Sequence, residues 1–98
     1  MKTLLQCQIS QGLFSREVAV RGEAADGTEF SMFVPNDFVE YDTSAVDSGP
    51  VAGLIDVEVL AREGALLLVR LPSQTFDNGP TITVRDSQIE HRVCHQRV

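Results

Sequence analysis

The sequence lacks a long apolar run. No stretch approaches the roughly 20 apolar residues of a membrane-spanning helix. The segment MKTLLQCQIS contains only two consecutive leucines, far short of the core of about 7–15 apolar residues in a signal peptide. We therefore expect a cytoplasmic protein with no membrane association.

Basic residues are missing from the middle of the chain. No lysine or arginine lies between Gly22 and Ala61, and the acids in that stretch are Glu23, Asp26, Glu29, Asp37, Glu40, Asp42, Asp47, Asp56 and Glu58. The 98-residue chain has a formal net charge of −6. Because such a surface repels phosphate backbones, nucleic acid is a disfavoured partner. The open alternatives are a solvated acidic surface and a docking face for a basic partner.

Motifs of common catalytic and phosphate-binding sites are also missing. The glycines form neither G-x-G-x-x-G nor G-x-x-x-x-G-K, and no G-x-S-x-G marks a hydrolase nucleophile. We expect no enzymatic activity and no cofactor.

Cysteine and histidine are scarce, and the four candidates for a metal or thiol site are Cys7, His91, Cys94 and His95. Thiolate and imidazole are good zinc ligands. The spacing HRVCH is not a recognised zinc pattern, and adjacent residues of an extended segment point to opposite sides. We therefore predict no metal site, and a metal or thiol site formed by these four residues is the alternative. Cys7 is expected to be a reduced, buried thiol.

Alternating β-branched and aromatic runs, separated by Gly, Pro, Asn and Asp, dominate the sequence and are typical of an all-β domain. With 43% apolar residues, residues 1–98 are expected to form one such domain. The predicted fold is a small barrel or sandwich of six to seven short antiparallel strands, built around two hairpins at about residues 16–34 and 54–71. Further strands are predicted at 3–9 and 81–85, and one helical turn at 37–41.

Glycines 27 and 64 predict the register of the two hairpins. In the first hairpin, a two-residue Asp-Gly loop would put Val20 and Met32 on opposite faces. A three-residue loop, 25–27, pairs Val20 with Met32 instead and needs a left-handed glycine at its third position. Both hairpins match under a shift of 37 positions.

The same loop rule, applied to the second hairpin, predicts a loop at 62–64. It places Val59 opposite Leu67, Val57 opposite Val69, and Asp56 opposite Arg70. Each hairpin then has one apolar face, and the two faces pack against each other. Pro35 and Pro72, which lack an amide hydrogen, are expected at strand ends.

Three aromatic residues are the candidate partner-binding side chains: Phe33, Phe38 and Tyr41. Phe33 falls on the polar face of the first hairpin, opposite Ala19, where the alternative is coverage by another segment. Phe38 and Tyr41 belong to the acidic segment 36–49, where the alternative is that they cover an open end of the barrel. We expect a non-enzymatic binding or regulatory module that contacts a protein partner or a second copy, through these residues or an exposed sheet edge.

The segments VEVLAREGALLLVRL (57–71) and ITVRDSQIEHRV (82–93) resemble the strand pattern of the carbon storage regulator family, small β-dimers that bind messenger RNA. Val57, Val59, Gly64 and Val69 fall in the hairpin pattern of that family. Val84, Ile89 and Arg92 fall in its closing strand and the start of the helix that follows. The resemblance covers under a third of the chain and implies, as an alternative function, an RNA-binding regulator. Asp86 stands where that family has its RNA-binding arginine.

Overall fold

The computed structural model describes residues 2–42, 46, 49–75 and 79–92. In chain order its strands are β1 (Lys2–Gln11), β2 (Glu17–Glu23), β3 (Glu29–Pro35), β4 (Val39–Tyr41), β5 (Val51–Asp56), β6 (Glu58–Glu63), β7 (Leu66–Thr75), β8 (Gly79–Arg85) and β9 (Ile89–Arg92). No α-helix occurs among these residues, and none of them forms a helix that could cross a lipid bilayer. The predicted all-β fold is confirmed, with nine described strands rather than six to seven.

Antiparallel pairing arranges the strands into two sheets. Sheet 1 has the order β3–β2–β1–β5–β4, with β9 also paired to β1, and sheet 2 has the order β6–β7–β8. The sheets are not closed into a barrel, so the sandwich is the correct one of the two predicted architectures.

The hydrophobic core lies between the sheets, where β3 and β5 contact β7. Its buried side chains alternate along the strands and are Leu5, Cys7, Ile9, Val18, Val20, Phe30, Met32, Val34, Val46, Ile55, Leu67, Val69, Leu71, Ile82 and Val84. Burial of each large apolar side chain contributes on the order of 1.5–3 kcal/mol. The first hairpin and strand β7 of the second therefore share one interior, as predicted, whereas β6 contributes no buried side chain.

The predicted register of the first hairpin, β2–β3, is confirmed. Val20 pairs with Met32, and the Ala24 N–H donates to the Thr28 carbonyl oxygen at 2.8 Å. Gly27 has a φ of 87°, the left-handed conformation that glycine adopts without a Cβ clash. The loop is therefore three residues long, as the apolar alternation requires.

The predicted register of the second hairpin, β6–β7, is wrong. Glu63 pairs with Leu66, so the loop is only Gly64 and Ala65, and a β-bulge at Leu60 shifts the register. Gly64 has a φ of 60° and is the first central residue, an arrangement typical of a type II′ turn. All six residues of β6 are exposed, and therefore its apolar pattern could not constrain the pairing.

The bulge and the short loop together change the partners of β7. Val59 lies opposite Val69 rather than Leu67, and Arg70 lies opposite Glu58 rather than Asp56. The Arg70 Nη1 and Glu58 Oε1 atoms form an ion pair at 2.8 Å. Asp56 cannot take part, because it ends β5 in the other sheet.

The chain changes sheets at Val57, between β5 and β6, and the Val57 N–H donates to the Thr3 carbonyl oxygen of β1 at 3.0 Å. Pro35 ends β3 as predicted. Pro72, by contrast, lies inside β7, where the ladder to β8 is irregular between Arg70 and Thr75. A proline is tolerated there because no ladder hydrogen bond is required of it.

Two 3₁₀ turns, Asn36–Phe38 and Asp86–Gln88, join β3 to β4 and β8 to β9. The first stands in place of the predicted helical turn at 37–41. The second is followed by strand β9, so the helix implied at Ile89–Arg92 by the family resemblance does not form. The strands predicted at 3–9 and 81–85 are confirmed within β1 and β8.

The two halves of the chain repeat one arrangement of strands. In each half a 3₁₀ turn precedes a short strand, and β4 pairs with β5 as β9 pairs with β1. The equivalent residues are separated by about 50 positions rather than 37: Leu5 corresponds to Ile55, with which it pairs, and Val39 corresponds to Ile89. The β1–β2 loop therefore corresponds to the two-residue loop of β6–β7.

Candidate functional site

The loop between β1 and β2 presents the most exposed large apolar side chains of the described residues. Leu13 is 75% exposed and Phe14 is 73% exposed. Exposed aliphatic and aromatic side chains that stand together are typical of interaction surfaces. We refer to residues 12–16 as the apolar loop.

Backbone contacts hold the apolar loop in place. The Glu17 N–H donates to the Phe14 carbonyl oxygen at 3.3 Å, and the Asn36 N–H donates to the Arg16 carbonyl oxygen at 2.9 Å. At Gly12 an added Cβ would lie 2.6 Å from the Glu17 carbonyl oxygen, so only glycine fits this close approach. The loop is thus anchored at its base, with Leu13 and Phe14 at its tip.

A groove of about 300 Å³ lies beside the apolar loop. Leu13, Phe14, Val18, Tyr41 and Val46 contribute its apolar wall. Val46 is buried and Tyr41 is half-buried against the core. The polar side chains of Gln11, Ser15, Glu17 and Asn36 complete the lining of the groove. Leu13 and Phe14 therefore form an apolar surface at the loop tip, beside a groove of mixed polarity.

The fold does not require the apolar loop. In the second half of the chain, the equivalent connection is made by Gly64 and Ala65 alone. The first half uses the five residues 12–16 and exposes Leu13 and Phe14 at the tip. Since exposed apolar side chains in a loop contribute little to folding, their presence favours a role in binding.

The charges around the apolar loop are mainly negative. Glu17 follows the loop directly and lines the groove, and Asp37 follows the Asn36 that anchors the loop. Arg16 is the one base within the loop. The apolar surface therefore has an acidic rim.

The three aromatic residues predicted as partner contacts lie in three different places. Tyr41 borders the groove beside the apolar loop. Phe33 is half-buried on the outer face of sheet 1, opposite Ala19 as predicted, in a separate groove. Phe38 is exposed and lies near Val57 and Pro72. The three side chains do not form one patch.

The cysteines and histidines proposed as an alternative metal or thiol site are only partly described. Cys7 is in the core, and burial raises the pKa of its thiol to about 12. His91 is exposed and pairs with Thr3, four residues or about 13 Å along β1 from Cys7. Cys94 and His95 lie outside the described residues. No group of three possible metal ligands occurs within the described part of the chain.

Leu13 and Phe14 are the residues that sequence reasoning missed. The signal was present, because two adjacent large apolar residues occur in a short connection that contains Gly12 and Ser15. Connections between strands are normally polar. Alternation identifies residues of strands, however, and these two belong to none.

Comparisons with known proteins identify no relative of this chain: no protein-family model, curated protein or solved structure matches it.

Proposed function

We propose that this protein is a non-enzymatic, cytoplasmic protein-binding module whose apolar loop inserts Leu13 and Phe14 into a pocket of a partner protein. The observation that carries the proposal is the exposure of both side chains on an anchored loop that the second half of the chain does without. The buried, free Cys7 thiol supports a reducing compartment.

The partner's chemistry follows from the surface. The partner has an apolar pocket or ridge that is complementary to Leu13, Phe14 and the apolar wall of the adjoining groove. The acidic rim calls for lysine or arginine around that pocket, since complementary charges accelerate and orient association. Burial of the two side chains would contribute about 1.5–3 kcal/mol each.

The test compares Leu13→Ser/Phe14→Ser with a matched control, Leu66→Ser/Leu68→Ser. The control removes two exposed leucines from the outer face of sheet 2 and leaves the apolar loop intact. Each protein is immobilised and used to capture cytoplasmic proteins, which are quantified by mass spectrometry. We expect at least one protein that the wild type and the control retain and the loop variant loses.

The captured protein is then purified and its affinity measured by calorimetry. We expect at least about a tenfold loss of affinity for the loop variant and weaker binding of the wild type at high salt. Equal affinities of wild type and loop variant, with both folded by circular dichroism, would refute the proposal. Loss of the same partner by the control variant would assign binding to sheet 2 instead.

A further inference from the structure

Strand β1 changes neighbours along one edge, and a cleft opens at the change. Residues 2–5 pair with β9 and residues 8–11 pair with β2. Between these ladders, at Gln6 and Cys7, neither β2 nor β9 pairs with this edge in the described residues. The resulting cleft has a volume of about 310 Å³, close to the lower limit for small-molecule sites.

The walls of the cleft are fixed by contacts within the protein. Gln88 closes one end: its Nε2 donates to the Glu23 carbonyl oxygen at 2.7 Å, and its Oε1 accepts from the Arg85 N–H at 2.7 Å. On the core side, the Phe30 ring packs on Gly22 next to the Cys7 sulfur. The cleft is therefore preformed.

Exposed polar side chains, three of them charged and of both signs, line the cleft. They are Gln6, Gln8, Arg21, Glu23 and Glu29. None of these side chains forms an ion pair or a side-chain hydrogen bond with another described residue. Glu23 and Glu29 lie directly opposite each other in the β2–β3 ladder, and like charges in this arrangement repel each other.

The second half of the chain contains an equivalent cleft in which two of the corresponding side chains form ion pairs. At the positions that correspond to Gln6 and Gln8, Asp56 lies 3.7 Å from the Lys2 ammonium and Glu58 lies 2.8 Å from the Arg70 guanidinium. Phe38 occupies the place of Gln88, and Pro72 that of Gly22. The second-half cleft is thus internally paired and apolar. The first-half cleft, which we call the open cleft because it holds no such ion pair, is polar.

We infer that the open cleft binds the zwitterionic headgroup of a free α-amino acid. Arg21 and Glu23 lie two residues apart on the outer face of β2, a spacing of about 6–7 Å. A guanidinium binds a carboxylate through paired hydrogen bonds, and the Glu23–Glu29 pair supplies the counter-charge for an ammonium. The amides of Gln6 and Gln8 donate and accept further hydrogen bonds.

The test is an NMR titration of the isotopically labelled protein with glycine, L-lysine and L-glutamate, and with two half-ligands. Glycinamide keeps only the ammonium and N-acetylglycine keeps only the carboxylate. We expect saturable shifts at residues 6–8, 21–23, 29 and 88 with at least one of the amino acids. Each half-ligand is expected to bind at least about tenfold more weakly, because it loses one charged contact.

Variants assign the two ends of the ligand. Arg21→Gln should weaken amino-acid binding about tenfold and leave glycinamide binding unaffected. Glu23→Gln/Glu29→Gln should also weaken amino-acid binding about tenfold, but leave N-acetylglycine binding unaffected. Glu58→Gln/Arg70→Gln, in the equivalent cleft, and Leu13→Ser/Phe14→Ser should change nothing. No saturable shift with any of the three amino acids at about 100 mM, a weak-binding limit, would overturn the inference. Triglycine binding as tightly as glycine would overturn it too, because a peptide terminus would then suffice.

Discussion

Gly22 is the position where one added carbon tests the packing of this sandwich most directly. A Cβ built on Gly22 would lie 2.5 Å from Cζ and 2.7 Å from Cε2 of Phe30, and 3.3 Å from the Cys7 sulfur. Favourable carbon contacts lie near 3.5–4.0 Å. Phe30 is the cross-strand partner of Gly22 and is buried, so its ring cannot turn away into solvent.

Two opposing effects decide the free energy of unfolding of Gly22→Ala. Gly22 does not have a positive φ, so alanine fits the backbone and, by restricting the unfolded chain, would stabilise the protein by about 0.4–1 kcal/mol. Overpacking against the Phe30 ring costs about 1–3 kcal/mol. The clash is larger, and we expect a net loss of about 0.5–2 kcal/mol.

Urea unfolding followed by circular dichroism measures this loss, and Phe30→Leu supplies the decisive background. Leucine removes the ring atoms that the new methyl group would meet. Gly22→Ala should therefore be neutral or stabilising in Phe30→Leu, which gives a coupling energy between the two sites. Equal destabilisation in both backgrounds, or a Gly22→Ala protein more stable than wild type, would show that the contact with Phe30 is not the cause.

Three further predictions concern burial, ionisation and backbone conformation. Leu67 is fully buried and the neighbouring Leu66 is 43% exposed. Leu67→Ala should therefore lower the free energy of unfolding by about 2–5 kcal/mol, and Leu66→Ala should lower it by about 0.5 kcal/mol or less. Similar losses for the two variants in chemical unfolding would contradict the alternation of β7. Burial raises the pKa of Cys7 from about 9 in the unfolded chain to about 12 in the fold, so its contribution to stability is complete below pH 9 and declines up to about pH 12. Over this range the urea midpoint of Cys94→Ser should fall more steeply than that of Cys94→Ser/Cys7→Ala. Equal slopes would refute the assignment. Gly27→Ala should cost about 1–2 kcal/mol because its φ is 87°, with Gly27→Asn less costly, and thermal unfolding that shows no loss for alanine would contradict a left-handed residue in solution.

The candidate partner-binding residues were only partly predicted from the sequence. Aromatic residues drew attention to Tyr41, which does border the groove beside the apolar loop. They also pointed to Phe33 and Phe38, which lie elsewhere. Phe33 and Tyr41 are half-buried and Phe38 is exposed, because exposure depends on which segments pack over a residue and not on its type. Phe14 belongs to no alternating run, so only the folded structure shows that it faces solvent.

Local sequence determined β1, β8 and the first hairpin. In that hairpin two constraints agree: β2 and β3 both alternate, and glycine 27 is the residue suited to a left-handed third loop position. The short strands β4 and β9 were not predicted. Tertiary structure decided the second hairpin. Residues 51–63 cross from one sheet to the other at Val57, and β6 is exposed on both faces. With no buried face on that strand, no apolar pattern could specify its register or the bulge at Leu60. Strand β1 stays in sheet 1, but its change of partner from β9 to β2 opens the polar cleft beside Gln6. This cleft depends on contacts between segments distant in sequence, which no local pattern encodes.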